Sequence, residues 1–113
     1  MESAANPGKG INKDATEQAS QPKLFMANGK LHATWQENNG GSQIRVAVYN
    51  GNDAAPQWDF FDGNQVNGLN FNAAKNAQQP QMTINGAKVM LTWHEADTST
   101  PAVTQIRAMN LSF

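Results

Sequence analysis

Apolar and polar residues alternate along the chain in short runs that are separated by turns rich in glycine and asparagine. One of these runs places Leu31, Ala33 and Trp35 on one side of an extended segment and polar residues on the other. A two-residue period is typical of β-strands, because successive side chains point to opposite faces of a sheet. The pattern therefore predicts an all-β protein built from antiparallel strands.

Seven strands are predicted from these runs. In chain order they are residues 23–27, 30–37, 43–49, 57–61, 81–84, 88–95 and 105–111. Asn28-Gly29 joins the first two strands, and this pair favours a tight hairpin because both residues tolerate a positive φ. Two further segments, residues 14–19 and 72–77, fit either a single helical turn or an irregular loop.

The pattern occurs twice along the chain. Gly-Ile-Asn at residues 10–12 matches Gly-Leu-Asn at residues 68–70, which lies 58 positions later. The second copy has four extra residues in one loop, so Gln-Ile-Arg at residues 43–45 returns at residues 105–107, which lies 62 positions later. Self-similarity of this kind indicates tandem repeats of one structural unit.

The repeat divides the chain into three parts. Residues 1–9 are small and polar, and we expect them to form a disordered tail. Residues 10–67 form the first unit with its connector, and residues 68–113 form the second. Nothing in the second unit matches residues 57–61, so we expect it to lack its fourth strand.

Four antiparallel strands per unit, arranged in series, are the blade pattern of a β-propeller. The order of a strand ending in Trp and an acidic residue, a loop, an Ile-Arg-Val strand, an Asn-Gly turn and Trp58 resembles the blades of sialidase-type propellers. In that family an Asp-box turn lies between the third and fourth strands, where residues 49–58 lie here. This sequence departs from the family pattern, because no Ser or Thr precedes Trp58 and the acidic residue is displaced to Asp53. The resemblance implies a fold and not an activity.

Two units cannot close a propeller ring, which needs roughly four to eight blades. The chain is then a fragment of a longer propeller, or a subunit that assembles as two-blade fucose lectins do, or a small sheet whose open edge a partner fills. Because an unpaired strand edge invites another strand, we expect a homo-oligomer formed through the last strand. The residues of that edge are Gln105, Ile106, Arg107, Ala108, Met109, Asn110 and Leu111.

Composition narrows the list of partners. The 113 residues carry a net charge of −1 and include no cysteine, so we expect neither a nucleic-acid partner nor disulfides. No apolar run is long enough to insert in a membrane. Abundant Asn, Gln, Gly and Thr resemble secreted or surface-displayed bacterial repeat proteins. We therefore expect a secreted or cell-surface location, with the export signal outside this sequence.

Enzyme signatures are not found in the sequence, so we expect no catalytic residue and no cofactor. His32 and His94 occupy non-equivalent positions of the repeat and form no zinc-binding pair. Binding of calcium by oxygen ligands from Asp53, Asp62 and the asparagine-rich turns is left open.

Three residue types that recur in both units are the best candidates for binding. They are Trp35, Glu37 and Arg45 in the first unit, Trp93, Glu95 and Arg107 in the second, and Trp58 beside them. A carbohydrate site needs an aromatic face and fixed polar groups, which these residues supply. The alternative is that each Trp fills space between units and each Glu and Arg pins a hairpin. Strand parity also allows Trp35 and Arg45 to lie on opposite faces of the sheet, an arrangement that argues against a shared site.

The sequence therefore predicts a non-enzymatic module that binds carbohydrate after homo-oligomerisation. The alternative function is a structural subunit of a filament or ring that is built by strand exchange. A third interpretation is a propeller fragment with no function of its own.

Overall fold

The structure is a computed structural model that describes residues 10–38, 40–61, 68–72, 74–86 and 88–112. Its strands are β1 (Ala19–Ala27), β2 (Lys30–Asn38), β3 (Ser42–Tyr49), β4 (Trp58–Phe60), β5 (Ala77–Asn85), β6 (Lys88–Ala96) and β7 (Thr104–Ser112). They form an antiparallel sheet in the order β1-β2-β3-β4 and a second in the order β5-β6-β7. This confirms the all-β fold with two antiparallel units, of which the second is one strand short. The predicted tail, residues 1–9, lies outside the described residues.

The first strand of each unit begins earlier than predicted, because a β-bulge interrupts it. The pairing of β1 with β2 runs from Ala19 but shifts register between Ser20 and Lys23, and β5 repeats this shift at the matching positions. Gln21 and Gln79 adopt positive φ angles of 56° and 58° at the bulges. An extra residue in one strand breaks the alternation on which the prediction rests.

Residues 14–18, and residues 72 and 74–76 of the second segment, form turns and not helices, while Ala19 and Ala77 begin strands. Glu17 N donates to Asp14 O at 3.1 Å, and Lys75 N donates to Asn72 O at 3.0 Å. Each bond closes a single turn that leads into the first strand of its unit. The irregular alternative is therefore the one that the structure adopts.

The two sheets pack face to face. We call the front face the side that carries Trp35 in the first unit and Trp93 in the second, and the back face the opposite side. The back face of the first unit packs on the front face of the second, with β5 contacting β1, β2 and β3. We call this contact the internal interface. Its core consists of Phe25, Ala27, Ile44, Val46, Leu69, Ala77, Val89, Leu91, Trp93 and Leu111.

The outer faces of the pair have smaller apolar clusters or none. Ala33, Trp35 and Ala47 form a second cluster on the front face of the first unit. On that face Leu24 is 67% exposed, and on the back face of the second unit Ile106 is 76% exposed. Apolar side chains thus reach both outer surfaces of the stacked sheets.

We predict that Leu91→Ala destabilises the fold by about 2–5 kcal/mol, because it leaves a cavity in the internal interface. Leu91 is fully buried in that core. Urea unfolding monitored by tryptophan fluorescence measures the change. The matched control Leu24→Ala removes an exposed leucine and, at a concentration at which the chain is monomeric, should change the free energy of unfolding by less than about 0.5 kcal/mol. Equal effects of the two substitutions would contradict the assignment of the core.

Candidate functional site

In each unit the tryptophan is hydrogen-bonded to the glutamate two residues further along the same strand. Trp35 Nε1 donates to Glu37 Oε1 at 2.9 Å, and Trp93 Nε1 donates to Glu95 Oε1 at 2.9 Å. Residues two apart on a strand point to the same face, so the spacing Trp-x-Glu brings the two side chains together. None of the four side chains is more than 3% exposed.

Each glutamate also holds the segment that leads into its own unit. Lys13 N and Asp14 N donate to the two carboxylate oxygens of Glu37 at 2.9 and 3.0 Å. In the second unit the backbone amides 58 positions later bind Glu95 in the same way, at 2.9 and 2.8 Å. We call this arrangement of indole, carboxylate and two backbone amides the clamp. Three N–H donors replace the water that a buried carboxylate loses.

The arginines lie beside the clamps. The strand register pairs Arg45 with Trp35 and Arg107 with Trp93, and directly paired residues share a face. Arg45 and Trp35 are therefore on the same side of the sheet. Arg45 is fully buried, whereas Arg107 is partly exposed and its guanidinium carbon lies 4.1 Å from the centre of the Phe71 ring. That distance is typical of a cation–π contact.

The two sets of Trp, Glu and Arg thus have structural contacts. A sugar stacks on the open face of an aromatic ring, and the rings of Trp35 and Trp93 are covered. The carboxylates of Glu37 and Glu95 are occupied by N–H donors of the protein. The contacts favour the packing interpretation of these residues over the carbohydrate-binding one.

Trp58 packs at the outer edge of the first unit. It contacts the cluster of Ala33, Trp35 and Ala47, and its ring centre lies 5.2 Å from that of Tyr49. Unlike the tryptophans of the clamps, Trp58 keeps part of its side chain exposed. It covers the end of the sheet, as one expects of a large amphipathic ring at the rim of a core.

The turn after β3, which corresponds to the Asp-box position of the family resemblance, is held by asparagine side chains. Asn50 Oδ1 accepts from Asn52 N at 2.9 Å, and Asn50 Nδ2 donates to Ala55 O at 2.9 Å. The carboxylate of Asp53 accepts a hydrogen bond from the Tyr49 hydroxyl. This bond favours the protonated phenol and raises the pKa of Tyr49 to about 12.

The histidines are separate from these contacts. The His32 ring stacks on Phe25 with centres 4.9 Å apart, and its Nδ1 lies 2.9 Å from Lys30 O. Burial lowers the pKa of His32. Within the described ranges, no three carboxylate or imidazole side chains are close enough together to hold a metal ion. Asp62, one of the residues considered for calcium, lies outside those ranges.

The outer edge of β3 is completed by two different elements. β4 pairs with residues 47–49, and Phe61 N, just after β4, donates to Val46 O at 2.7 Å. The start of the second unit binds backbone groups of Ser42 and Ile44. Leu69 N donates to Ile44 O at 2.9 Å, and the side chain of Asn70 accepts from Ile44 N at 3.0 Å and donates to Ser42 O at 3.0 Å. We call residues 68–70 the hook of the second unit, and the matching residues 10–12 the hook of the first.

The outer edge of β7 has neither element among the described residues. The predicted edge residues do lie on this strand, which pairs only with β6 in its sheet. A groove of about 460 Å³ runs beside it, lined by Phe71, Trp93, Ile106, Arg107 and others. Met109, which also lines the groove, is equivalent to Ala47, the residue that pairs with Phe60 of β4 in the first unit.

Sequence reasoning missed the role of the hooks. The matching triplets Gly-Ile-Asn and Gly-Leu-Asn are recognisable in the repeat, but their position in the connectors does not reveal that they bind a neighbouring strand. An amide side chain that recurs beside a recurring glycine is the signal that could have identified them, because such pairs often bind exposed backbone groups.

Comparisons of this chain with protein-family models, with curated proteins and with solved structures give no match. In the part of the chain that the structure describes, there is no helix with the length and apolarity needed to cross a membrane.

We predict that Glu95→Gln destabilises the fold by about 1–3 kcal/mol. Glutamine replaces one carboxylate oxygen by an NH₂ group, so at least one N–H donor of the clamp loses its acceptor and faces another donor. Urea unfolding of the variant and the wild type measures the change. Glu17→Gln alters a glutamate outside the clamps and should change the free energy of unfolding by less than about 0.5 kcal/mol. If the Glu95 variant were as stable as the wild type, the clamp would not be a stabilising contact.

Tyr49 is the single tyrosine of the chain, so its ionisation is visible alone in the ultraviolet absorbance of the phenolate. We expect a midpoint at about pH 12 in the folded protein, against the ordinary value of 10.0. A pKa that is raised on folding stabilises the fold fully below the unfolded pKa, and this contribution is lost as the pH rises towards the folded value. Asp53→Asn should bring the midpoint back towards 10.0. A wild-type midpoint at the ordinary value would contradict the Tyr49–Asp53 bond.

Proposed function

We propose that this protein is a non-enzymatic assembly module whose repeat units associate with further copies of the same chain. The proposal selects the structural alternative among the functions expected from the sequence. It is supported by the internal interface, in which one unit already binds another through a sheet face and a strand edge. Each unit therefore has two binding surfaces. Its back face binds the front face of the next unit, and its front face binds the back face of the unit before it.

The observation that carries the proposal is the contrast between Ile44 and Ile106. These residues are equivalent in the repeat, since each lies on the back face of the third strand of its unit. Ile44 is 0% exposed because the second unit covers it, whereas Ile106 is 76% exposed. Large exposed apolar side chains on an edge strand are typical of an interaction surface.

Further residues on the same back face support this interpretation. Val46 is buried in the internal interface, and its equivalent Ala108 is exposed. His32 is buried, and its equivalent Met90 is 48% exposed. The back face of the second unit thus has apolar side chains that the described residues leave exposed.

The front face of the first unit is the complementary surface. Leu24 is exposed there, while its equivalent Met82 packs against the core of the internal interface. An interface between the back face of one copy and the front face of the next would bury both sets, as the internal interface does. Carbohydrate binding stays a prediction, and the covered rings of Trp35 and Trp93 give it little support.

We predict that the wild-type protein sediments with a mass above the 12.3 kDa of one chain at micromolar concentrations, and that Ile106→Lys sediments as a monomer. Burial of an isoleucine side chain contributes about 1.5–3 kcal/mol, so its replacement by a charge should weaken association by about tenfold or more. Analytical ultracentrifugation over a concentration series measures the effect.

Ile84→Lys is the matched control, because it places the same charge on an isoleucine of the same sheet that is 42% exposed. Ile84 lies on the front face of β5, outside the core of the internal interface and away from the β7 surface. It should associate as the wild type does. A wild-type chain that stays monomeric throughout the series would contradict the proposed function. Equal weakening by both variants would assign the effect to lost stability instead of to the β7 surface.

A further inference from the structure

We propose that the hook of the first unit, residues 10–12, docks on the outer edge of β7 in a second copy of the chain. The inference rests on the proposed self-association and specifies the contact that produces it. It is drawn from the internal interface, where the hook of the second unit makes the same contact with β3. The contact between residues 68–70 and β3 therefore serves as the template for the proposed contact between two copies.

The hook of the first unit has the shape that docking requires. Asn12 Nδ2 donates to Glu17 O at 2.9 Å, just as Asn70 Nδ2 donates to Lys75 O at 2.9 Å. Both hooks are fixed from behind by the clamp of their own unit. Because these bonds form within one unit, the first hook does not have to reorganise when it binds, which lowers the entropy cost of association.

The receiving edge offers the same backbone groups in the same register. Ile106 pairs with His94 on β6 as Ile44 pairs with Gln36 on β2. Thr104 likewise takes the place that Ser42 has in the first unit. The carbonyl and amide of Ile106 and the carbonyl of Thr104 are thus the groups that Ile11 N and the side-chain amide of Asn12 would bind.

The glycine at the start of each hook, which the positive φ of 72° at Gly10 and 59° at Gly68 already favours, also leaves room for this contact. A Cβ atom at Gly68 would lie 2.4 Å from Ile44 O, so only glycine allows the hook to approach the strand. Within the described part of the chain, the nearest atom that a Cβ at Gly10 would meet is Asn12 Oδ1 at 3.6 Å. Gly68 approaches a strand closely within the chain, and among the described residues Gly10 does not. In the proposed contact, Gly10 would approach β7 of a second copy in the same way.

A hydrogen bond that flanks the hook in the internal interface can also form in the proposed contact between two copies. Gln79 N donates to Gln36 Oε1 at 3.1 Å, and at the matching positions Gln21 N would face His94. A neutral imidazole nitrogen accepts such a bond as an amide oxygen does.

This contact joins unlike surfaces of the two copies, since a hook at one end binds a strand edge at the other. Repetition of such a heterologous contact produces a ring when the rotation closes and an open filament when it does not. The inference therefore predicts head-to-tail assembly and excludes a dimer in which β7 pairs with β7.

Gly10→Asn tests the hook, because asparagine tolerates the positive φ of 72° at this position while its Cβ would collide with the carbonyl of Ile106 in the second copy. Loss of the hook bonds should weaken association by about tenfold to a hundredfold in sedimentation equilibrium. Gly29→Asn is the matched control. Its φ is 74° and a Cβ there meets nothing within 4 Å, so the two variants carry similar backbone strain.

The outcomes separate this inference from the proposed function. Weak association of Gly10→Asn, with wild-type association of Gly29→Asn and unchanged circular dichroism for both, supports the hook. If Gly10→Asn associates as the wild type does while Ile106→Lys remains monomeric, self-association stands but a different segment fills the edge, and the hook is overturned. A monomeric wild type overturns both proposals.

Cross-linking supplies a second readout that does not depend on the stability of a variant. Ser42 N binds Asn76 Oδ1 at 2.9 Å in the internal interface, so Gln18 and Thr104 should be neighbours across two copies. The chain has no cysteine, and a variant with Gln18→Cys and Thr104→Cys should give a ladder of covalent multiples with a short bis-maleimide. Each single variant stops at dimers. A double variant that also stops at dimers would overturn head-to-tail docking.

Discussion

Each unit depends on a buried carboxylate that accepts three N–H groups. Without Glu37 or Glu95, the indole on the same strand and the two amides of the incoming segment would all lack an acceptor in a place that water does not reach. Unsatisfied buried donors cost more than the net gain of a formed bond. The clamp therefore fixes where the chain enters the unit, and the entry fixes the hook, which in the second unit completes the edge of β3.

The strands and the two units could be predicted from the sequence, because local patterns determine them. Alternation and Asn-Gly turns located all seven strands, and the repeat identified the missing fourth strand. The bulges before Lys23 and Gln81 were not visible, because a bulge inserts one residue without changing composition. The turn at Asp14 was ambiguous because a single turn has too few residues to show a helical period.

The candidate site was predicted as a set of residues but not as a set of contacts. Repetition identified Trp35 and Glu37, and the shared face followed from their spacing. The groups that cover these side chains could not be predicted from the spacing, because the amides of Lys13 and Asp14 come from a segment more than twenty positions away. Only tertiary structure shows whether a repeated aromatic side chain is a binding platform or a part of the core, since burial depends on distant residues.

The hook and the clamp belong to the same unit, and this has a consequence for how such a chain can change in length. A unit brings with it both the groups that fix its own entry and the groups that complete the strand before it. Stability in tandem arrays of this kind is close to a sum of unit and nearest-neighbour terms. Duplication of a whole unit then introduces no new kind of contact, so the array can gain a unit by gene duplication without redesign of those already present.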